Sequence, residues 1–359
     1  MTGPVPAPAA PRLSPGLLER TAVLDAWVQQ RARTCHQLLG PAGSGKTTLA
    51  MQWRARLVGA GFDIAWVSVQ PQTEADTLVQ ALLDACAALG PEQGVWLPAP
   101  AAASGRFLPH GAVAAALIQA IAQHGREVLL VVDDYHHVGH PQVHALFQTL
   151  LDYAPENLHL LFVSRALPPL ATEPLAAADQ LLRLDTEALR WSFADTKALA
   201  RRWAPDMPSA QIRQLHAATG GWITGLQMAL HGKGCGPALA QSAASYFNQE
   251  VLPRLDAQSL HALVRLAPAH SFNEPLLLEL AGSLPTQSLI ALLQRERVFI
   301  APLRSGAPGG TVWWRCHPLF RALLLQRFGQ MPQEHQQRTR LWLGHWFGHR
   351  GMLREAVEH

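Results

Sequence analysis

Leu38–Trp53 reads LLGPAGSGKTTLAMQW, a glycine-rich stretch set between two apolar ones. It contains the complete pattern G-x-x-x-x-G-K-[ST] from Gly40 to Thr47. The apolar residues before Gly40 suit a short strand, and Thr47–Leu57 runs on as a helix with Leu49, Met51, Trp53 and Leu57 among its apolar members. Gly40, Gly43 and Gly45 let the backbone curl so that successive N–H groups face phosphate oxygens at the helix start. Phosphate binding is therefore expected from Gly40, Pro41, Ala42, Gly43, Ser44, Gly45, Lys46, Thr47 and Thr48. Lys46 would reach the β and γ phosphates of ATP, or the β phosphate of ADP, and Thr47 would offer its hydroxyl to Mg2+. Only three lysines occur in the chain, Lys46, Lys197 and Lys233, so a chance lysine at this position is a poor explanation.

A phosphate loop needs an acid nearby. REVLLVVDDYHHV, Arg126–Val138, supplies it. Val128–Val132 is a continuous apolar run, as a parallel strand buried on both faces requires. Asp133 and Asp134 close it, at the strand end where open α/β sheets bind ligands. Asp133 is assigned to Mg2+ and Asp134 to orienting or activating a water; simple capping of the next helix is the alternative for both. Phe62–Val69 and Leu158–Arg165 are two further strand candidates, and Arg165 leaves the second where it could sense a γ-phosphate. A solvated arginine is the alternative there. Helices over Thr77–Leu89 and Ala112–His124 would supply crossovers, giving an α/β P-loop NTPase domain with a parallel sheet. Pro91–Pro109, rich in proline and alanine, reads as a loop.

Composition narrows the field. At 359 residues the chain is long for one core, and 48% apolar against 15% charged residues describes a folded protein. A net charge of +3 without a basic block does not imply wrapping by nucleic acid. The four cysteines, Cys35, Cys86, Cys235 and Cys316, form no CxxC and read as buried free thiols suited to a reducing cytoplasm. No apolar run has the length of a membrane span. Met1–Pro15 reads as a loose leader.

After Leu184 the strand signal fades into short helices, broken at Gly220–Gly221, with Trp191, Trp203 and Trp222 read as packing residues. Val298–Leu303 and Thr311–His317 then suggest two short strands joined by a glycine-rich turn, a winged helix. Its wing carries only Arg304 and Arg315, so packing is expected of it rather than duplex recognition.

Taken together, GPAGSGKTTLAMQW, LLVVDDYHHV, FVSRALPPL, LRWSFADTKAL, GGWITGLQMAL, WRCHP and LFRALL stand in an order that resembles the MalT-like STAND ATPases, the regulatory ATPases of large LuxR-type transcription activators. The likeness spans roughly Arg20–His359. It implies a leader (1–18), a nucleotide domain (19–184), a small helical domain (185–240), a winged-helix domain (241–331) and the start of a helical repeat arm (332–359). It also implies a switch, closed and monomeric with ADP, opened for self-association by ATP and an inducer or regulatory protein. Lys46, Thr47, Asp133, Asp134 and Arg165 match the family's P-loop, acidic and arginine positions. Trp222 matches the helical segment lying against the nucleotide, and His317 a histidine that touches ADP phosphates in the closed state. LATEPLAAADQ, after the FVSRALPP segment, departs from the basic, leucine-rich stretch of many relatives. The implied activity is slow, Mg2+-dependent ATP hydrolysis serving regulation; a non-catalytic nucleotide-dependent scaffold and a small-molecule kinase are the alternatives. Specific DNA binding is not expected from this segment but from a terminal domain beyond it, and no membrane partner is expected.

Overall fold

The computed structural model describes residues 17–89, 109–232, 234, 236–281, 300–303 and 312–358. Most of the leader and of the proline-rich loop, Lys233, Cys235, Val298 and the turn bearing Arg304 lie outside the described residues. The chain divides into two units, one made of Met1–Gly40 with Gly45–Leu189, the other of Pro41–Ser44 with Arg190–His359.

Five parallel strands form the first unit's sheet: β1 (Cys35–Leu39), β2 (Asp63–Ser68), β3 (Val128–Asp133), β4 (Leu158–Ser164) and β5 (Leu181–Leu184), in the order β2-β3-β4-β1-β5. Every residue of β1, β3 and β4 is buried, which is why VLLVV carries no polar alternation. The pleat instead divides the apolar residues between two cores. Val128, Leu130, Val132, Leu158, Leu160 and Phe162 join the one packed by α3 (Ala75–Ala87), α4 (His110–Ala122) and α5 (Pro141–Asp152). Leu129, Val131, Leu161 and Val163 join the other, packed by α1 (Thr21–Gln29) and α2 (Lys46–Gly59). Each such side chain, fully buried, is worth about 1.5–3 kcal/mol, so the sheet is a rigid platform for the polar residues at its strand ends. In the second core Trp27 stacks on Trp53 with ring centroids 4.0 Å apart, and its indole N–H donates to His36 Nδ1 at 3.1 Å. Short α6 (Glu173–Ala177) and α7 (Thr186–Leu189) flank β5.

Two sequence expectations shift. The crossover helices start two residues earlier than expected, at Ala75 and His110, and end earlier too. β5 has no counterpart among the expected strands: LLRL is four residues long, half-buried and hydrogen-bonded on one side only, so it shows no strong period.

In the second unit, α8 (Phe193–Trp203) starts at a capping box between Ser192 and Asp195. α9 (Ser209–Thr219) ends at Gly220 and Gly221, both at positive φ. A Cβ on Gly221 would lie 2.3 Å from the Trp191 carbonyl oxygen, so only glycine fits there. α10 (Ile223–His231), α11 (Pro237–Glu250), α12 (Ala257–Leu266) and α13 (Glu274–Ala281) come next. β6 (Phe272–Asn273), β7 (Ile300–Leu303) and β8 (Trp313–Cys316) form an antiparallel sheet in the order β6-β8-β7, and β8 leads into the helix Pro318–Gly329. β7 and β8 match the two expected strands over their described residues; β6 is too short to leave a pattern. Helices Gln333–His349 and Leu353–Val357 come last. Cys35, Cys86 and Cys316 are buried and free, their thiols pushed up to about 12 by burial. Among the described residues no helix is long and apolar enough to cross a membrane.

Candidate functional site

The first unit holds Gly40, Gly45, Lys46, Thr47, Thr48, Asp133, Asp134 and Arg165; the second holds Pro41–Ser44, Trp222 and His317. Each group has its own geometry.

In the first unit β1 delivers the chain to Gly40, whose N–H donates to the Ser164 carbonyl at 3.2 Å across the end of β4. Gly45 takes φ +83, a left-handed conformation open to glycine, and α2 begins at Lys46, which is buried. Thr47 Oγ1 donates to Asp133 Oδ1 at 3.2 Å, and the Asp134 N–H donates to the same oxygen at 3.0 Å. Burial pushes the Asp133 carboxyl up to about 6; the neighbouring Asp134 charge adds to the rise, while Thr47, the Asp134 N–H and Lys46 oppose it. Asp133 is thus a desolvated acid short of positive charge, beside a hydroxyl. That donor pair fits a hard divalent cation carried in with phosphate. Asp134 has φ +55 and a half-exposed carboxylate, 3.8 Å from His136 Nδ1. Arg165 directly follows β4.

In the second unit Pro41–Ser44 forms a turn, closed by the Ser44 N–H donating to the Pro41 carbonyl at 3.3 Å, with Gly43 at φ +66. Trp222 Nε1 donates to the Ala42 carbonyl at 3.3 Å. Thr224 Oγ1 donates to the Gly43 carbonyl at 2.8 Å, and the Thr224 N–H approaches the same oxygen at 3.4 Å. Buried Trp222 stacks on Phe247 and meets Tyr246 and His317 edge-on. His317 donates from Nε2 to the Thr219 carbonyl at 2.7 Å and accepts the Leu319 N–H at Nδ1, 3.3 Å away. Both bonds suit the neutral ring, and burial lowers its pKa to about 4.

Three residues escape a reading of the sequence. Thr224 lies within the quoted GGWITGLQMAL, yet no motif singles it out. Tyr246 directs its hydroxyl to within 2.8 Å of where a Cβ on Gly43 would stand. Ser164 ends β4 with a buried Oγ that has no hydrogen-bond partner among the described residues, as does Ser44 Oγ in the loop. Buried hydroxyls left open beside a phosphate loop fit a polar ligand.

A family model of the AAA ATPase domain matches residues 19–163, and one of the MalT winged helix domain matches residues 248–338. The chain is 29% identical over 373 residues to the HTH-type transcriptional regulator MalT of Serratia proteamaculans, covering 96% of this chain and 39% of that relative. It therefore spans about two fifths of the length of that relative. Two solved structures share the fold at low identity. A STAND protein with a tetratricopeptide repeat sensor from Pyrococcus horikoshii is 15% identical, TM-score 0.51, over 93% of this chain and 46% of that one. A Walker-type ATPase of Pyrococcus abyssi is 14% identical, TM-score 0.58, over 86% of this chain and 96% of that one.

One expectation is corrected by these matches. DNA binding is expected above from a domain beyond the chain and denied to this segment, but the winged-helix domain lies within it, at residues 248–338. The error comes from judging the module on the charge of its wing, Arg304 and Arg315, which says little about a module as a whole. The two domain matches and the similarity to MalT mark the chain as MalT-like, with a parallel-sheet AAA ATPase domain, helices and a winged-helix domain.

Proposed function

We propose that the chain is an ATP- or ADP-binding conformational switch of a cytoplasmic transcription activator, with slow Mg2+-dependent hydrolysis and ATP-promoted opening or self-association. The observation that carries this reading is the 3.2 Å pairing of Thr47 Oγ1, one residue after buried Lys46, with a buried Asp133 short of compensating charge.

Lys46 neutralises β and γ phosphate charge from the start of α2. Thr47 and Asp133 hold Mg2+, which when bound supplies charge neutralisation at the phosphate oxygens. Asp134 orients the attacking water and accepts its proton, and Arg165 stabilises charge on the transferring group. Water as acceptor yields ADP and phosphate. Slow turnover suits a switch, because hydrolysis erases the state that ATP sets. Trp222 and His317 serve the ADP-bound state. His317 Nε2–H is committed to the Thr219 carbonyl, so a phosphate contact from that nitrogen requires exchanging one bond for another. Domain limits near 184, 240 and 331 belong to the same reading.

Phosphate release by Asp134→Asn tests the chemistry. A fall of about 100-fold, with ADP affinity within about twofold of the unsubstituted chain, is expected of a general base. Unchanged release removes Asp134 from the reaction, and no release from either protein at saturating ATP and Mg2+ refutes hydrolysis.

A further inference from the structure

We infer that Thr224 is a positioning residue for the phosphate loop: its hydroxyl, aided by the Trp222 indole, fixes the outward carbonyls of the turn Pro41–Ser44. The inference rests on the nucleotide-binding reading and adds to it the group that presets the loop.

In a trans peptide the C=O and N–H point in opposite directions. Holding a carbonyl on one side therefore aims the N–H of the same peptide to the other. The Ala42 carbonyl is held by Trp222 Nε1 at 3.3 Å and the Gly43 carbonyl by Thr224 Oγ1 at 2.8 Å. The Gly43 and Ser44 N–H groups then point away from α10, and the Ser44 N–H closes the turn on the Pro41 carbonyl. The electrostatics agree, because the Gly43 oxygen faces the first turn of α10, where the helix dipole is positive.

Near a helix start a threonine hydroxyl commonly caps local backbone, but here Thr224 donates to a carbonyl far away in sequence, and the N-cap Trp222 makes no side-chain cap. The contact also explains a glycine that the phosphate-loop pattern leaves open. Position 43 is an x in G-x-x-x-x-G-K, yet a Cβ there would stand 2.5 Å from Thr224 Oγ1 and 2.8 Å from the Tyr246 hydroxyl. Glycine is required by the approach of Thr224 as well as by φ +66.

Glycine-rich loops lose much conformational freedom when a ligand orders them. Fixing two peptides beforehand removes part of that cost from the binding step. Thr224 therefore acts on nucleotide affinity more than on fold stability.

The test uses the full chain, a fluorescent ADP analogue as probe, and the thermal midpoint of the nucleotide-free protein. Thr224→Val keeps the shape and removes the donor; it is expected to weaken ADP about tenfold, with the midpoint within about 2 °C. Thr224→Ser keeps a hydroxyl and is expected to restore affinity to within about threefold. Trp222→Phe, which keeps an aromatic ring beside Phe247 but loses the indole N–H together with the pyrrole ring, is expected to weaken ADP about threefold, beyond what any fall in its midpoint accounts for. Unaltered ADP affinity in Thr224→Val, equal loss in the Val and Ser variants, or a loss that merely tracks a fallen midpoint would each overturn the inference. Lys46→Ala separates the two readings. If it binds ADP like the unsubstituted chain, the nucleotide reading fails and this inference with it; if Lys46→Ala fails to bind while Thr224→Val binds normally, the inference fails alone.

Discussion

The two edges of the five-stranded sheet treat their polar groups in opposite ways. Where the strands begin, polar side chains satisfy one another. Asp63 meets His124 at 2.7 Å and Arg126 at 2.9 Å, and His159 bridges Glu127 at 2.8 Å and the Arg33 carbonyl at 2.9 Å. Where the strands end, charge and hydroxyls are left in want of partners: Asp133 is pushed up to about 6, and Ser164 Oγ is buried without a partner among the described residues. Apart from His36 Nε2, buried without a partner among the described residues, and its neighbour Gln37 Nε2, the edge where the strands begin has closed its polar interactions and contributes stability. The other keeps them open, at a cost that a ligand carrying phosphate and a cation would offset.

Substitutions at the two edges should therefore separate cleanly. The largest effect is expected at the open edge: Lys46→Ala should weaken ADP by about 100-fold, the scale of a lost hydrogen-bonded charge, while Lys197→Ala leaves affinity unchanged. Calorimetric titration decides it, and equal affinities would dissolve the comparison. At the closed edge Asp63→Ala should lower unfolding free energy by about 2 kcal/mol, with ADP affinity preserved to within about twofold. That is less than a fully buried pair would cost, because Arg126 is half-exposed and screened by water. Denaturant midpoints measure it; loss of nucleotide affinity would show that the closed edge serves binding as well.

A reversal of sign sharpens the contrast. Asp133 sits buried beside Asp134 with too little compensating charge, so without Mg2+ its ionised form opposes folding at neutral pH. Asp133→Asn, which keeps an acceptor for Thr47, should raise metal-free stability by about 1.5 kcal/mol at pH 7 while abolishing the dependence of ATP binding on Mg2+. Denaturation in chelator checks the first half and titration with and without Mg2+ the second. A destabilised variant would mean that the open edge is already satisfied.

Legibility divides along the same line. The loop, α2, β3 and the acidic pair are readable because each is local: glycine spacing, a continuous apolar run and a strand-end acid lie within a few residues of one another. β5 is not, since an edge strand of four half-buried residues carries neither alternation nor a long run. Thr224 is not either, because its meaning depends on a contact 181 residues away in sequence. Its neighbour Trp222 is legible only through resemblance, as one of several tryptophans at helix junctions. The winged helix is legible as a domain, from its two strands and the resemblance; what it does is not, because wing charge describes only a few of its residues.

His36 offers the smallest test, and it concerns the closed edge alone. Its ring lies fully buried near the start of β1, accepting the Trp27 indole N–H at Nδ1 and leaning on Trp53 with centroids 4.8 Å apart. Burial, and secondarily the nearby His159, lower its pKa to about 3 from an ordinary 6.5. The unfolded chain thus binds a proton that the folded one refuses, and stability must rise with pH across that interval. The contribution is complete above pH 6.5 and declines as pH falls toward 3, amounting to about 1 kcal/mol lost by pH 5.5. His36→Asn keeps an acceptor for Trp27 and removes the titration. Its stability should accordingly fall less than that of the unsubstituted chain between about pH 7.5 and 5.5, by about 1 kcal/mol in denaturant midpoints compared at each pH. Part of the acid sensitivity should survive in the variant, because His317, lowered to about 4 in the second unit, has the same sign. Identical pH dependence in the two proteins would show that His36 stays unprotonated in the unfolded chain or is hydrated in the folded one, and either result would remove it from the closed edge.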